Sequence, residues 1–415
     1  MNIHNLQIIG FGPAALGLFV AADREHRLFE FLDSGIQIHE RTPSLHHWRS
    51  LKYYIPSNSP AGEFLMGIRE DGIFSDLLES EAGKYLSYNA YRTVCLSKVS
   101  EFLKLMMYRV ERIIDEHPNC HLHWSSYVST LQVDDNFICN APNGKRIVSR
   151  HLVVSTGSKQ RQLEQTSISN LPTYSSEALQ RGIIDEDIIE YLKNGYTPII
   201  VGGSHSGFST AGFMLDRFGK YFSDTNPFYL YSRSPIKQML TRHEAQHIPI
   251  SDNDKVDPET GDVNKFSGVR HNARDLYRRV VQGNEKRLVI KISDNINSHN
   301  VLRPIIISAI GYRPTPPRII NAENKPISID LLPSGSSVAK DPITQELQHQ
   351  GKNLNNAFGM GIGYSDMGSD GEQVGVNFFH GDTATTLVTR LLREAKMETP
   401  KDKKLASILS LEGEV

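Results

Sequence analysis

Apolar positions fall in short blocks along the 415-residue chain, and their spacing changes from block to block. Leu6-Gln7-Ile8-Ile9 is a brief β-forming run, and a glycine-rich stretch follows it at once. Ala14 to Ala22 is apolar almost throughout and predicts a buried helix, and Gly35 to His39 predicts the next strand. Between residues 96 and 114, Leu96, Val99, Phe102, Leu103, Met106, Val110 and Ile113 keep the three-or-four spacing of one helix face. Short strand-like runs come next, with a hairpin turn at Pro142-Asn143-Gly144. Leu152-Val153-Val154 predicts a buried strand that ends in Ser155-Thr156-Gly157. Residues 158–196 read as a polar connection of weak periodicity. Thr197 to Val201 opens a second strand–turn–helix unit, and Pro304 to Ala309 is a further strand-like run ending in Ile310-Gly311-Tyr312. Asp252 to Asp262 reads as a solvated acidic loop, and Lys401 to Lys404 as a frayed charged tail.

The order strand, glycine turn, helix, strand thus occurs twice. It predicts an α/β fold with two Rossmann-like dinucleotide-binding domains, one inserted into the other. The expected boundaries are 1–165 for the first part of one domain and 166–300 for the inserted domain. Residues 301–415 would then complete the first domain and add substrate-site elements.

Gly10-Phe11-Gly12-Pro13-Ala14-Ala15 is a G-x-G-x-x-A turn. Gly10 permits the tight turn, Gly12 lets the backbone approach a pyrophosphate, and small Ala15 lets the helix pack against the strand. The helix start, at Pro13 and Ala14, offers unpaired N–H groups to phosphates. Glu40 closes the next strand and suits both hydroxyls of a ribose. Arg41 and Trp48 follow it, on the segment that runs toward the ring end of a bound dinucleotide in this fold class.

Gly202-Gly203-Ser204-His205-Ser206-Gly207 repeats the design, with Ser204 where the middle glycine usually stands. Both serines can donate to phosphate, and Gly207 keeps helix packing close. The next strand ends in Ser232-Arg233-Ser234 and not in an acid, which favours the 2′-phosphate of NADPH over the bare ribose of NADH.

Composition narrows the setting. Apolar residues make up 39% and charged residues 22%, with a net charge of −2, so nucleic acid and anionic membranes are not expected as partners. Cys95, Cys120 and Cys139 form no C-x-x-C pair, so a dithiol relay is not expected and a reducing compartment is. No run approaches the roughly 20 apolar residues of a membrane span, and no targeting signal is read at the N-terminus, so the expected location is the cytoplasm. His243-Glu244-Ala245-Gln246-His247 spells the H-E-x-x-H of zinc peptidases, but Pro249 cuts short any helix that would carry it. The pair His46-His47 and the group His117, Cys120, His121 and His123 lack a full ligand set at metal spacing, so no metal is expected.

With these islands in place the sequence resembles the class B flavin monooxygenases, most closely the lysine and ornithine N-hydroxylases of siderophore pathways. Besides the two glycine turns, the resemblance rests on Tyr174-Ser175-Ser176-Glu177 and Ala309-Ile310-Gly311-Tyr312. It extends to Gln373-Val374-Gly375-Val376-Asn377 and His380-Gly381-Asp382. It implies FAD at the first turn, with Gly311, Gly381 and Asp382 beside it, and NADPH at the second. By the same resemblance, Gln373, Asn377 and His380 border flavin or substrate, with Asn377 and His380 nearest the chemistry. Lys52 takes the place of the family's substrate lysine. A helix beginning at Gly381 to Thr383 and running to about Arg393 would point its positive end at the flavin. The implied reaction passes a hydride from NADPH to FAD. A flavin hydroperoxide formed with O₂ then hydroxylates the nitrogen of a small-molecule primary amine or amino acid. Members are often homo-oligomers. Sulfur oxidation or Baeyer–Villiger chemistry on the same fold, and a dinucleotide sensor without turnover, are the competing readings.

Overall fold

A computed structural model describes residues 3–48, 51–163, 170–246, 250, 255–256, 261–264, 268–293, 301–364, 367–368, 371–372 and 382–397. The first strand, Ile3–Ile9, lies at the centre of a ten-stranded sheet. It pairs in parallel with Ile36–His39 on one side and Arg146–Val154 on the other. His121–His123 extends the parallel set at one edge, and Lys352–Gly359 joins it beyond Arg146–Val154. Alternation along the first strand explains its two faces. Leu6 and Ile8 point into the core that also holds the helices Pro13–Arg24, Leu96–Glu116 and Asp382–Met397. Ile9 points the other way, toward Leu131, Phe137 and Leu152. Gln7 shares that second face and is fully buried, yet its amide donates to the carbonyls of Phe137 and Ile147 at 3.3 and 3.2 Å. A buried amide satisfied in this way costs little and fixes the register of the neighbouring antiparallel strands.

The hairpin expected at 142–144 joins Phe137–Asn140 to Arg146–Val154, with Gly144 at φ +77°. The helix expected over 96–114 runs over Leu96–Glu116, and its periodic apolar residues are buried apart from the half-buried Leu96 and Ile113.

A second, five-stranded parallel sheet has the order Leu288–Ile292, Phe228–Ser232, Thr197–Val201, Pro304–Ser308, Thr173–Ser175. The helices His205–Phe218 and His271–Val281 cover one face of it. One feature departs from the sequence reading. The stretch 158–196 is not a plain polar connection: it forms the strands Ser158–Gln160 and Thr173–Ser175 and the helices Ser176–Gln180 and Asp185–Lys193. Its strands are too short to show a period, and the half-buried Thr173–Ser175 is held by pairing to Ile306–Ser308. Pro304–Ser308 is hydrogen-bonded inside the second sheet. The two crossings between the sheets pair with each other, Ser158–Gln160 antiparallel to Tyr312–Pro314.

The last described helix, Asp382–Met397, is tied to the first sheet by a half-buried chain of polar contacts. His151 Nδ1 donates to the backbone carbonyl of Asn5 at 3.0 Å, and its Nε2 lies 2.6 Å from Glu394 Oε2. Arg390 bridges Glu394 at 2.9 Å and Glu346 at 2.8 Å. The hydrogen bonds from His151 and Arg390 hold the Glu394 carboxyl down at about 2, against 4.5 for a free side chain. A carboxyl lowered in the fold stabilises it above its unfolded pKa and stops doing so as pH falls toward the folded one. Glu394→Gln is therefore expected to lower the unfolding free energy at pH 7 by about 1–3 kcal/mol for one lost charge-assisted bond. The deficit should shrink as the pH is taken from about 4.5 toward about 2. Denaturant titrations at pH 7 and at about pH 3, well inside that window, check this; an equal deficit at both would contradict it.

Candidate functional site

Both glycine turns stand at the C-terminal ends of central parallel strands, where open α/β sheets place their ligands. At the first, Gly10 has φ +98°, and a Cβ there would lie 2.6 Å from the carbonyl oxygen of Ser155. The turn is held from three sides. Gly10 N donates to His39 O at 2.8 Å, Ser155 Oγ donates to Gly10 O at 2.7 Å, and Phe11 N donates to Glu40 Oε2 at 2.8 Å. Gly12 caps the helix Pro13–Arg24 in an extended conformation, and Pro13 at its first position lacks an N–H that would be unpaired in any case. Ala15 is fully buried and Ala14 nearly so.

Glu40 is buried, and its other oxygen accepts Thr42 N at 2.9 Å. A carboxylate has about four acceptor positions, so each oxygen keeps a lone pair for a ribose hydroxyl. Trp48 is buried and its indole N–H donates to Phe11 O at 3.1 Å, which pins the segment after Glu40 over the turn. Arg41, His46 and His47 are exposed. Lys52 is exposed as well, beside the half-buried Tyr53.

The sequence reading missed what closes this turn from the far strand. Lys352–Gly359 runs into Met360-Gly361-Ile362-Gly363-Tyr364. Gly361 has φ +92°, and a Cβ there would lie 2.8 Å from Ala14 Cβ, at the helix start. Tyr364 is buried and shares a 2.9 Å hydrogen bond with Thr156 Oγ1. Three alternating glycines directly after an apolar strand were the available signal.

At the second turn Gly202 has φ +135°, and a Cβ would lie 2.7 Å from the carbonyl carbon of Ala309. A Cβ on Gly203 would lie 2.8 Å from Ile236 Cδ1, and one on Gly207 would strike Gly202 O. Ser204 adopts φ −100° and ψ −170°, nearly the −105° and −172° of Gly12, so this position needs no glycine backbone. The serine hydroxyl is thereby added at the helix N-terminus, ahead of the unpaired N–H groups of His205, Ser206 and Gly207. Burial, with Arg270 and His271 adding to it, lowers His205 to about 4. The imidazole is neutral at pH 7, so attraction for a phosphate here rests on backbone N–H groups and hydroxyls. Arg233 is exposed just past the strand Phe228–Ser232, and Ser232 Oγ donates to Ser234 O at 2.6 Å. Gly311, at φ +88°, stands just before the returning crossing strand Tyr312–Pro314, and its carbonyl accepts Arg161 N at 3.0 Å.

Gln373, Asn377, His380 and Gly381 lie outside the described residues; Asp382 begins the helix Asp382–Met397. Glu244 of the H-E-x-x-H stretch is engaged elsewhere: it closes a capping box with Thr241 and pairs with Arg278 at 2.7 Å, and His247 is outside the described residues. His117 bonds Asp33 at 3.1 Å, and Cys120 donates to Leu32 O at 3.2 Å.

No family model matches the chain. It is 24% identical over 351 residues to a CMP-5′-(3-aminopropyl)phosphonate hydroxylase from Streptomyces rubellomurinus, covering 78% of this chain and 80% of that protein. Among solved structures it is similar to a cadaverine monooxygenase of desferrioxamine biosynthesis from Erwinia amylovora, bound to FAD: TM-score 0.58, 13% identity, 95% of each chain. It is similar to an ornithine N-hydroxylase from Kutzneria sp. 744, solved with reduced FAD, NADP⁺ and ornithine: TM-score 0.56, 15% identity, 95% of this chain and 100% of that one. A bacillithiol disulfide reductase from Staphylococcus aureus matches at TM-score 0.55 with 12% identity, over 95% of this chain and 99% of that one. The chain therefore has the two-sheet α/β fold of this cadaverine monooxygenase and this ornithine N-hydroxylase, a fold that the bacillithiol disulfide reductase shares.

Proposed function

We propose that this protein is an FAD- and NADPH-dependent monooxygenase that hydroxylates the nitrogen of a small primary amine. The observation that carries the reading is the pair of turns at Gly10 and Gly202. Each admits only glycine, opens onto a helix N-terminus and ends a central strand. One such turn serves many enzymes; two, on sheets joined by a paired crossing, suit a flavin and a nicotinamide dinucleotide together. The amine as substrate is supported by the activities of the Streptomyces relative and of two structural neighbours.

Gly10, Gly12, Pro13, Ala14 and Ala15 would cradle the FAD pyrophosphate, Glu40 would take its ribose, and Trp48 would hold the covering segment in place. Gly202 to Gly207 would cradle the NADPH pyrophosphate. Bound FAD supplies the hydride acceptor and the activation of O₂; the chain supplies placement and exclusion of water. The amine must be neutral to act as a nucleophile, and burial of its ammonium form would lower its pKa. Lys52 and Gln373 are the proposed substrate contacts, and Asn377, His380, Gly381 and Asp382 the proposed groups at the flavin ring. We place the second domain between the two crossing strands, Ser158–Gln160 and Tyr312–Pro314, and the protein in the cytoplasm.

An anaerobic titration tests the assignment of the cofactors. FAD should bind stoichiometrically and NADPH should bleach it; a protein that stays colourless with added FAD would overturn the reading. Arg233→Ala should raise the KM for NADPH relative to NADH by about 10- to 100-fold, the worth of one or two charge-assisted bonds to a phosphate. An unchanged ratio would remove Arg233 from the site.

A further inference from the structure

Tyr53, Glu177, Arg181 and Tyr312 converge from three separate stretches of chain. Tyr53 belongs to the segment after Trp48 and is stapled to the first domain by Ser97 N, which donates to Tyr53 O at 3.0 Å. Glu177 and Arg181 lie on and just past the helix Ser176–Gln180, at the entry to the second domain. Tyr312 begins the returning crossing strand. Arg181 Nη2 donates to Tyr53 Oη at 2.9 Å and pairs with Glu177 Oε1 at 3.0 Å. Its guanidinium also lies over the Tyr53 ring, 4.3 Å from the centroid. Tyr53 Oη in turn donates to Glu177 Oε1 at 3.3 Å.

Backbone and amide bonds extend the same junction. Tyr54 N donates to Gln180 O at 2.8 Å, which joins the two domains directly. Gln160, on the outgoing crossing strand, donates to Ser176 Oγ at 2.9 Å and accepts Glu177 N at 3.3 Å. Burial pushes the phenols of Tyr53 and Tyr312 up, so both stay protonated at neutral pH. Nothing in the chemistry of either dinucleotide turn requires this group, and Tyr53 and Tyr312 are too far in sequence from the Glu177–Arg181 pair for the group to serve a local fold.

We propose that Tyr53, Glu177 and Arg181 form a clasp that fixes the angle between the two dinucleotide domains, and that they are positioning residues for hydride transfer between the two cofactors. The second half of that statement rests on the proposed function; the first does not. The clasp spans the only described paired crossing between the sheets, Ser158–Gln160 with Tyr312–Pro314, where a small rotation would displace one turn relative to the other.

The test uses the full-length protein with Tyr53→Phe, which removes both hydrogen bonds of the phenol, and Glu177→Gln, which removes the charge paired with Arg181; both are near-isosteric and keep the packing. Flavin content and dithionite reduction should match the wild type. Hydrogen exchange in peptides spanning Tyr54 and Arg161 should accelerate by about tenfold or more, as local opening becomes easier. The rate of flavin reduction at saturating NADPH should fall by about 10- to 100-fold, as expected of a misplacement near 1 Å, with the half-saturating NADPH concentration little changed. Unchanged exchange would overturn the clasp. Faster exchange with wild-type flavin reduction would overturn the positioning role. A wild type that NADPH does not reduce would sink the functional reading alone, and exchange would still decide the clasp.

Discussion

Gly10→Ala is expected to give a protein that folds and no longer retains FAD. The added methyl would sit 2.6 Å from Ser155 O, and φ +98° is a conformation that costs a residue with a side chain about 1–3 kcal/mol. Neither partner can retreat. Ser155 N donates to Ile9 O at 2.9 Å, its hydroxyl holds Gly10 O, and Gly10 N is bound to His39 O. The turn must move instead, which takes Phe11 N off Glu40 and swings the start of the helix Pro13–Arg24 away from the phosphates. Strain and lost contacts together should weaken FAD by more than about 100-fold, since each 1.4 kcal/mol is tenfold. Gly144→Ala is the control: φ is +77°, but no atom lies within 4 Å of the new methyl and the position is remote from the turn. The ratio of flavin absorbance to protein reads the result. Wild-type flavin content in Gly10→Ala would contradict the assignment of this turn.

The second large effect is on the other turn. Gly202→Ala should leave the protein yellow and reducible by dithionite, while reduction by NADPH slows by more than about 100-fold at a fixed NADPH concentration. The methyl would lie 2.7 Å from the Ala309 carbonyl carbon, and Ala309 is fixed by its N–H to Val201 O at 2.8 Å. Gly202 N is itself held by Tyr231 O at 2.9 Å. Stopped-flow reduction with NADPH and with dithionite separates the two sites. Loss of flavin from this variant, or NADPH reduction at the wild-type rate, would contradict the division of labour between the turns.

What was legible in the sequence is what local chemistry dictates. Gly10, Gly12 and Glu40 are bound to one another by turn geometry within about one βαβ unit, so spacing alone exposed them. The same holds for Gly202 and Gly207, and the structure explains the misfit at Ser204: the position is extended and never needed glycine. Tyr53 and Glu177 stand 124 positions apart, and Gly361 meets Ala14 across nearly the whole chain. No periodicity marks such pairs, since tertiary packing alone brings them together. Residues 158–196 were misread for a related reason. Ser158–Gln160 and Thr173–Ser175 are three residues each, and their pairing to Tyr312–Pro314 and Ile306–Ser308 decides that they are strands. Polar composition won the sequence argument there, and distant partners won in the fold.

Whether the flavin oxygenates an amine nitrogen can be read from a single coupled assay. NADPH oxidation would be followed with FAD-loaded protein against lysine, ornithine, short diamines, and free or nucleotide-linked aminoalkylphosphonates, with hydroxylamine and peroxide assayed together. One amine should raise NADPH consumption, with hydroxylamine forming in step and little peroxide. NADPH consumption that no amine accelerates, with peroxide as the sole product throughout, would contradict it.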